Sequence, residues 1–163
     1  MKRILLVVSC VGVLAYINSC NKKNDPGFSS CTPVPVAQDS TALLKFANDH
    51  HITPVKDPSG LYYEITSFGS GPGPSLTSTV YVTYVGKLMD GSTFDSVGNS
   101  TNTGWVLNTL IDGWQIGLPK IYSGGHIKLL IPSALAYKCA GFGSGRVPPD
   151  APVYYDVMLV SFN

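Results

Sequence analysis

The chain has 163 residues, of which 44% are hydrophobic and only 13% are charged. This length suits one ordinary domain with its own core. Eleven basic and ten acidic residues give a formal charge of +1. Because the sequence has no large excess of basic residues, we expect no nucleic-acid partner.

The first 19 residues have the pattern of a secretory signal. Lys2 and Arg3 precede residues 4–17, of which 12 of 14 are apolar. That run is short for a hydrocarbon core of about 30 Å and is typical of a signal peptide. The next residues, Ile-Asn-Ser-Cys at 17–20, resemble a bacterial lipobox, which implies cleavage before Cys20 and lipidation of that cysteine. Plain secretion and an uncleaved anchor are the alternatives.

Residues 20–38 are predicted to be a flexible tether, because residues 21–35 are polar and rich in Ser, Asn and Pro. We expect it to join the domain to a bacterial membrane in the cell envelope. The favoured location is the outer membrane, with the domain facing the periplasm. After processing, the remaining cysteines are Cys31 and Cys139. In an oxidising envelope they could form a disulfide, and two unpaired cysteines are the alternative.

Residues 39–59 are predicted to form an N-terminal helix and a linker. Asp39 and Ser40 offer cap oxygens just before the helix. Three apolar residues then recur at helical spacing: Leu43, Phe46 and Ala47. We expect this helix to pack on its own domain, with dimerisation as the alternative.

Alternating apolar residues dominate the remainder, residues 60–163, and predict strands. The predicted strands are 61–66, 79–88, 105–107, 126–131 and 153–160. Asp90-Gly91 is a favoured hairpin turn, and Trp114, Leu118 and Ile121 recur at the spacing of a short helix. The predicted fold class is therefore α+β, with an antiparallel sheet of four to five strands around one central helix.

The usual hydrolytic and phosphate-binding motifs are absent from the sequence. There is no Walker loop, GxGxxG, HExxH or GxSxG motif, and no cysteine or histidine spacing resembles a metal site. We predict no metal and no cofactor. Aromatic residues are instead spaced along the strands; periodicity alone favours a core for them, with a ligand pocket as the alternative.

Four ordered motifs resemble the FKBP-type peptidyl-prolyl cis-trans isomerases. They are YVTYVGKLMDGSTFDS at 81–96, LIDGWQIGL at 110–118, IPSALAY at 131–137 and VPPDAPVYYDV at 147–157. The match runs from about Gly60 to the last residue, 104 of 163 residues. The resemblance implies an FKBP-like sheet half-wrapped around a short helix, with an apolar pocket between them.

The same resemblance implies the site residues. The catalytic pocket would contain Tyr84, Phe94, Asp95, Trp114, Tyr137 and Tyr155. The substrate-binding residues would be Leu110, Ile111, Ala136, Phe142 and Val147. Trp114 matches the residue under the proline ring, while Asp95, Tyr137 and the Ile111 N–H match polar groups that bind ligands.

The implied function is isomerisation of Xaa-Pro bonds in unfolded or nascent polypeptides, with macrolides of the FKBP type as further ligands. The alternative is a catalytically weak, lipid-tethered binding module or chaperone.

Some positions depart from the family pattern. Thr103 falls about where another pocket aromatic is usual, and Lys138, Arg146 and Asp112 change the rim. Residues 139–146 form an insertion-sized loop with three glycines, which fits either a selective lid or a flexible connection.

Overall fold

A computed structural model of the protein describes residues 31–163. The predicted signal peptide, Cys20 and tether residues 20–30 lie outside the described residues. Within the described part, none of the helices has the length and apolar character that crossing a membrane requires.

The described chain is built on one antiparallel sheet. Its strands are β1 (Val55–Lys56), β2 (Tyr62–Ser67), β3 (Thr79–Leu88), β4 (Thr93–Val97), β5 (Trp105–Val106), β6 (Gly125–Ile131) and β7 (Val153–Phe162). The order across the sheet is β1-β2-β6-β7-β3-β4, and β5 pairs with β3. With the helices described below, this confirms the α+β class.

Five of these strands have at least five residues, and two have only two residues. The sequence predicted β2, β3, β5, β6 and β7 but missed β1 and β4. Within β4 only Phe94 is buried, since this edge strand otherwise carries Thr, Asp, Ser and Val side chains that are exposed or half-buried. Such a segment has too little apolar alternation to be recognised as a strand.

The central helix α2 (Asp112–Gly117) packs on one face of the sheet, and the 3-10 turn Leu118–Lys120 continues it. Two glycines set its distance from β6. A Cβ on Gly113 would lie 2.5 Å from Ile131 Cγ2, and one on Gly117 would lie 2.6 Å from Leu129 Cδ2. Because the glycines leave this space free, the helix packs directly on β6 and buries Trp114.

Helix α1 (Ser40–Asp49) covers part of the opposite face of the sheet. Its buried residues Leu43, Phe46 and Ala47 pack with side chains of the sheet that alternate away from the main core: Tyr62, Leu130 and Tyr154. The helix ends at Asp49, and the ring of the next residue, His50, lies 4.1 Å from the Phe46 ring. The prediction that this helix packs on its own domain is confirmed.

The segment before α1 differs from the sequence predictions. The Asp39 cap is wrong, because the Asp39 carboxylate makes no capping bond and accepts hydrogen bonds from Ser133 instead. The predicted tether extends to residue 38, whereas the structure has a 3-10 turn at Val36–Asp39. Cys31 forms a disulfide with Cys139, the first of the two arrangements that the sequence allowed.

Candidate active site

A cavity of about 340 Å³ opens between α2 and the face of the sheet on which α2 packs. Its walls come from β3, β4, β5, β7, the loop before α2, α2 itself and the turns after β6. The lining residues are Tyr84, Asp95, Trp105, Thr109, Leu110, Ile111, Trp114, Tyr137, Phe142 and Tyr155. Most of this surface is therefore aromatic or aliphatic.

Three buried aromatic rings form the base of this pocket. Trp114 lies 5.2 Å from Tyr84 and 5.1 Å from Tyr155 between ring centroids, and both interplanar angles are close to perpendicular. Edge-to-face contacts of this kind hold rings in fixed orientations. The Trp114 Nε1 is buried and has no hydrogen-bond partner among the described residues. We call Tyr84, Trp114 and Tyr155 the pocket floor.

The Tyr84 hydroxyl is tied to Asp95. It donates to Asp95 Oδ2 at 2.7 Å, while Asp95 Oδ1 accepts from the Ser96 N–H at 3.0 Å. Burial raises the pKa of Tyr84 above its ordinary value, and the hydrogen bond to Asp95 raises it further. This phenol is consequently a neutral donor at physiological pH.

A second hydroxyl pair joins Tyr137 and Tyr155, with 2.5 Å between the oxygens. Burial raises the pKa of both phenols. Two hydroxyl groups that share one hydrogen bond leave one O–H hydrogen free to donate. Tyr155 is 3% exposed and Tyr137 is only half-buried, so Tyr137 is the better placed to offer that hydrogen to a ligand.

The loop before α2 supplies aliphatic contacts and a backbone donor. Gln115 Nε2 donates to the Leu110 carbonyl at 2.7 Å and fixes this loop. The Ile111 carbonyl accepts from the Trp114 N–H at 2.9 Å, which begins the helix. No acceptor contacts the Ile111 N–H anywhere in residues 31–163, so this donor is available to a ligand.

The rim of the pocket is a short hairpin that begins at Phe142. The backbones of Phe142 and Val147 exchange two hydrogen bonds of 3.0 Å. The Phe142 ring stacks on Tyr137 at 4.7 Å, and the Arg146 guanidinium lies 5.4 Å from the Phe142 ring centroid. Arg146 Nη1 also donates to the Phe94 carbonyl at 3.2 Å, which connects the loop to β4. The predicted insertion loop thus has a defined conformation.

Eight of the eleven residues expected in the site line the cavity. The three that do not are Phe94, Ala136 and Val147, each buried behind the lining. Phe94 supports the site from there, since its ring lies 5.5 Å from Tyr155 and 6.2 Å from Tyr137.

The sequence analysis missed Trp105 and Thr109. Trp105 supplies the aromatic side chain that was expected near Thr103, and its ring centroid lies 6.1 Å from Tyr84. Thr103 instead bonds to the backbone: its hydroxyl accepts from the Val82 N–H at 2.9 Å and donates to Ser100 O at 2.7 Å. The two positions are two residues apart in the chain. Trp105 could have been recognised from the sequence because it is an aromatic residue in a predicted strand.

This arrangement defines the class of protein. The cavity pairs a rigid aromatic floor with neutral hydroxyl donors, which suits an apolar ring flanked by carbonyl groups. In residues 31–163, three or more His, Cys, Asp or Glu side chains do not come together as a metal site. The fold and pocket are those of an α+β domain with one apolar, aromatic binding cavity among its described residues.

Comparison with known proteins identifies the family. The model of the FKBP-type peptidyl-prolyl cis-trans isomerase family matches residues 71–160, more than half of the chain. The chain belongs to this family.

Individual relatives agree with that assignment. The chain is 43% identical over 105 residues to FK506-binding protein 4 of Dictyostelium discoideum, and 38% identical over 117 residues to the isomerase FkpA of Escherichia coli K12. These matches cover 64% and 71% of this chain, but only 29% and 42% of the relatives. The chain thus spans less than half the length of these two curated relatives.

Solved structures are similar as well. The crystal structure of Escherichia coli FkpA has a TM-score of 0.65 at 32% identity, covering 78% of this chain and 61% of that one. A peptidyl-prolyl cis-trans isomerase from Pseudomonas syringae has a TM-score of 0.64 at 27% identity, covering 81% and 98%.

Proposed function

We propose that this chain catalyses cis-trans isomerisation of Xaa-Pro bonds in unfolded or nascent polypeptides. The observation that carries the proposal is the pocket floor: the buried Trp114 ring meets Tyr84 and Tyr155 nearly at right angles, next to neutral phenolic hydroxyls. A proline ring is apolar and compact, so it fits such a floor, and the peptide carbonyls beside it need donors.

Rotation about an Xaa-Pro bond is slow because it breaks amide resonance, with a barrier of roughly 18–20 kcal/mol. Resonance puts negative charge on the carbonyl oxygen of the planar form, and water stabilises that charge. An aromatic pocket that excludes water removes this stabilisation, so it favours the twisted and less polar form. Only the difference in binding between the two forms accelerates the reaction.

The hydroxyl groups orient the substrate in this proposal. Tyr137 donates its free hydrogen to a carbonyl of the chain beside the proline, while Tyr155 holds the Tyr137 oxygen at 2.5 Å. Asp95 fixes the Tyr84 hydroxyl in the same way. None of these phenols has to change protonation, because burial raises each pKa above its ordinary value. We therefore expect a rate that is flat from about pH 6 to 9.

The test is NMR exchange on a short Ala-Pro peptide, with the full chain in detergent. We expect catalysed exchange, reduced about three- to tenfold in Tyr137→Phe because one hydrogen bond contributes about 0.5–1.5 kcal/mol. Asp95→Ala should be reduced as well. Tyr122→Phe is the matched control, since Tyr122 is 36% exposed and lies outside the pocket lining.

The outcome also separates the two candidate functions. If the unmutated chain at micromolar concentration binds the peptide but leaves its exchange rate unchanged, the binding-module alternative replaces the enzyme. Equal losses in Tyr137→Phe and Tyr122→Phe would remove the proposed role of the Tyr137 hydroxyl.

We further propose that macrolides of the FKBP type bind the same pocket. The name of the Dictyostelium relative states binding of FK506 for that protein. FK506 should therefore compete with the Ala-Pro peptide, and exchange that continues at saturating FK506 would contradict this proposal.

For the start of the chain we propose a signal peptide at residues 1–19, lipidation of Cys20, and a tether that joins the lipid to the domain in the bacterial cell envelope. The lipobox-like residues 17–20 and the polar segment after them support this proposal. Radioactive fatty acid should label the protein in a bacterial host and should not label Cys20→Ala. Equal labelling of both proteins would contradict a lipid on Cys20.

A further inference from the structure

Residues 31–39 run along the domain before α1, and we call them the N-terminal strap. Its last residue, Asp39, is 8% exposed, and one oxygen of its carboxylate accepts from both the N–H and the hydroxyl of Ser133 at 2.7 Å. Ser133 is completely buried. Hydrogen bonds to a charged acceptor are stronger than neutral ones, and removing this acceptor would leave two buried donors unpaired.

The first residue of the strap is attached at a second point. Cys31 forms a disulfide with Cys139, with 5.5 Å between the Cα atoms and 108 residues between them in sequence. Between the two attachments, Val36 packs against Gly60, where a Cβ would lie 3.0 Å from Val36 Cγ2. The strap therefore contacts the domain at both ends and in its middle.

The two attachments flank Tyr137 in the sequence. Ser133 lies four residues before it and Cys139 two residues after it, so both attachments fall on the short segment 133–139 that carries Tyr137 into the cavity lining. We call these residues the pocket wall. Tyr137 is the member of this wall that lines the cavity and reaches Tyr155. A displacement of the wall would change the position of the hydroxyl that faces the substrate.

The backbone of the wall requires such support. Lys138, directly between Tyr137 and Cys139, has φ +54°, in the left-handed region that residues other than glycine rarely adopt. A residue keeps this conformation only where its surroundings enforce it. Here the Lys138 carbonyl accepts from the Asp150 N–H at 2.9 Å, its ammonium lies 3.1 Å from Asp112, and the next residue carries the disulfide.

We propose that the strap positions the pocket wall for catalysis, with Asp39 and Cys31 as positioning residues that act through Tyr137. This inference rests on the proposed function. It gives residues 31–39 a role in the active site, although residues 31–38 fall within the predicted tether and none of the nine lines the cavity. A small misplacement of an orienting group is enough to slow a reaction many-fold.

The test compares the full chain in detergent with two variants, Asp39→Ala and the double variant Cys31→Ser, Cys139→Ser. At a temperature where each is fully folded, we expect kcat/KM for the Ala-Pro peptide to fall about tenfold. The matched control is Ile52→Ala. Ile52 is buried with α1 in the cluster that also contains Tyr62, Leu130 and Tyr154, and this cluster includes no residue of the wall. The kcat/KM of this variant should stay within about twofold of that of the unmutated chain. The comparison is made under conditions in which its free energy of unfolding is reduced as much as in the strap variants.

A second readout reports on the wall without any turnover. With 3-fluorotyrosine incorporated and the Tyr137 resonance assigned through Tyr137→Phe, both strap variants should shift or broaden that fluorine signal, and Ile52→Ala should not. An unchanged signal together with unchanged kcat/KM would overturn the proposal. If the unmutated chain does not catalyse exchange, the proposed function fails, and the fluorine signal still decides whether the strap holds the wall.

Discussion

The pocket floor and the pocket wall hold their aromatic side chains by different means. Tyr84, Trp114 and Tyr155 project from regular elements and are at most 8% exposed, so the sheet and α2 determine their positions. Tyr137 lies between short turns, next to a left-handed residue, and long-range links hold it. The floor can therefore provide the apolar environment that the proposed isomerisation needs, while the wall and rim would set orientation and access.

The largest effect should come from removing the floor. Trp114→Ala deletes a side chain that is 4% exposed, so the free energy of unfolding should fall by about 3–5 kcal/mol. Because the cavity it leaves admits water, kcat/KM should fall by about 100-fold or more. Chemical denaturation and NMR exchange measure the two losses. Trp114→Leu keeps most of the apolar volume, and activity close to that of the unmutated chain in this variant would show that the floor needs no aromatic ring here.

An intermediate effect on stability is expected at the end of α2, the helix that carries Trp114, on the side away from the wall. Lys120, just after α2, donates a hydrogen bond of 2.7 Å to the Asp57 carboxylate. This bond, together with the hydrogen bonds that Ser59 gives to the same carboxylate, lowers the pKa of Asp57 to about 2. The folded pKa is below the unfolded value of about 3.8, so the stabilisation is present above pH 4 and is lost as the pH falls towards 2. Asp57→Asn should lower the free energy of unfolding by about 1 kcal/mol at pH 7 and flatten its acid dependence.

Denaturation curves from pH 2 to 7 check this expectation, with Asp49→Asn as the control because Asp49 is an exposed partner of Lys45. Peptide exchange at pH 7 should be unchanged in both variants. A loss of activity in Asp57→Asn would mean that supports of the floor also control catalysis, and the contrast between floor and wall would disappear.

The smallest effect should come from the rim. Arg146→Met removes the hydrogen bond to the Phe94 carbonyl and the contact with the Phe142 ring, both near solvent. We expect KM to rise about threefold with kcat unchanged, and the free energy of unfolding to change by less than about 1 kcal/mol. Initial-rate measurements over a range of peptide concentrations separate the two constants. A fall in kcat with unchanged KM would mean that Arg146 stabilises the transition state and does not act at the pocket entrance.

The sequence was most informative where side chains alternate or form long motifs. The faces of β3, β6 and β7 follow from alternation, and the burial of Val82, Leu129 and Val157 agrees with it. Of the eleven residues that the motif match implied for the site, eight line one cavity in the structure. The gap before Trp105 could not be placed to within two residues, because a loop has no periodicity to fix its register.

The sequence by itself determined the α+β class, the family and most of the pocket, since local periodicity and ordered motifs record which side chains share a face. Only the tertiary structure decided that Asp39 binds Ser133 instead of capping α1, and that Cys31 meets Cys139. Residues separated by 94 and 108 positions are brought together by the whole sheet, and no local pattern carries that information. The strap was for this reason indistinguishable from a tether until the fold joined it to Ser133 and Cys139, which flank Tyr137 in the sequence.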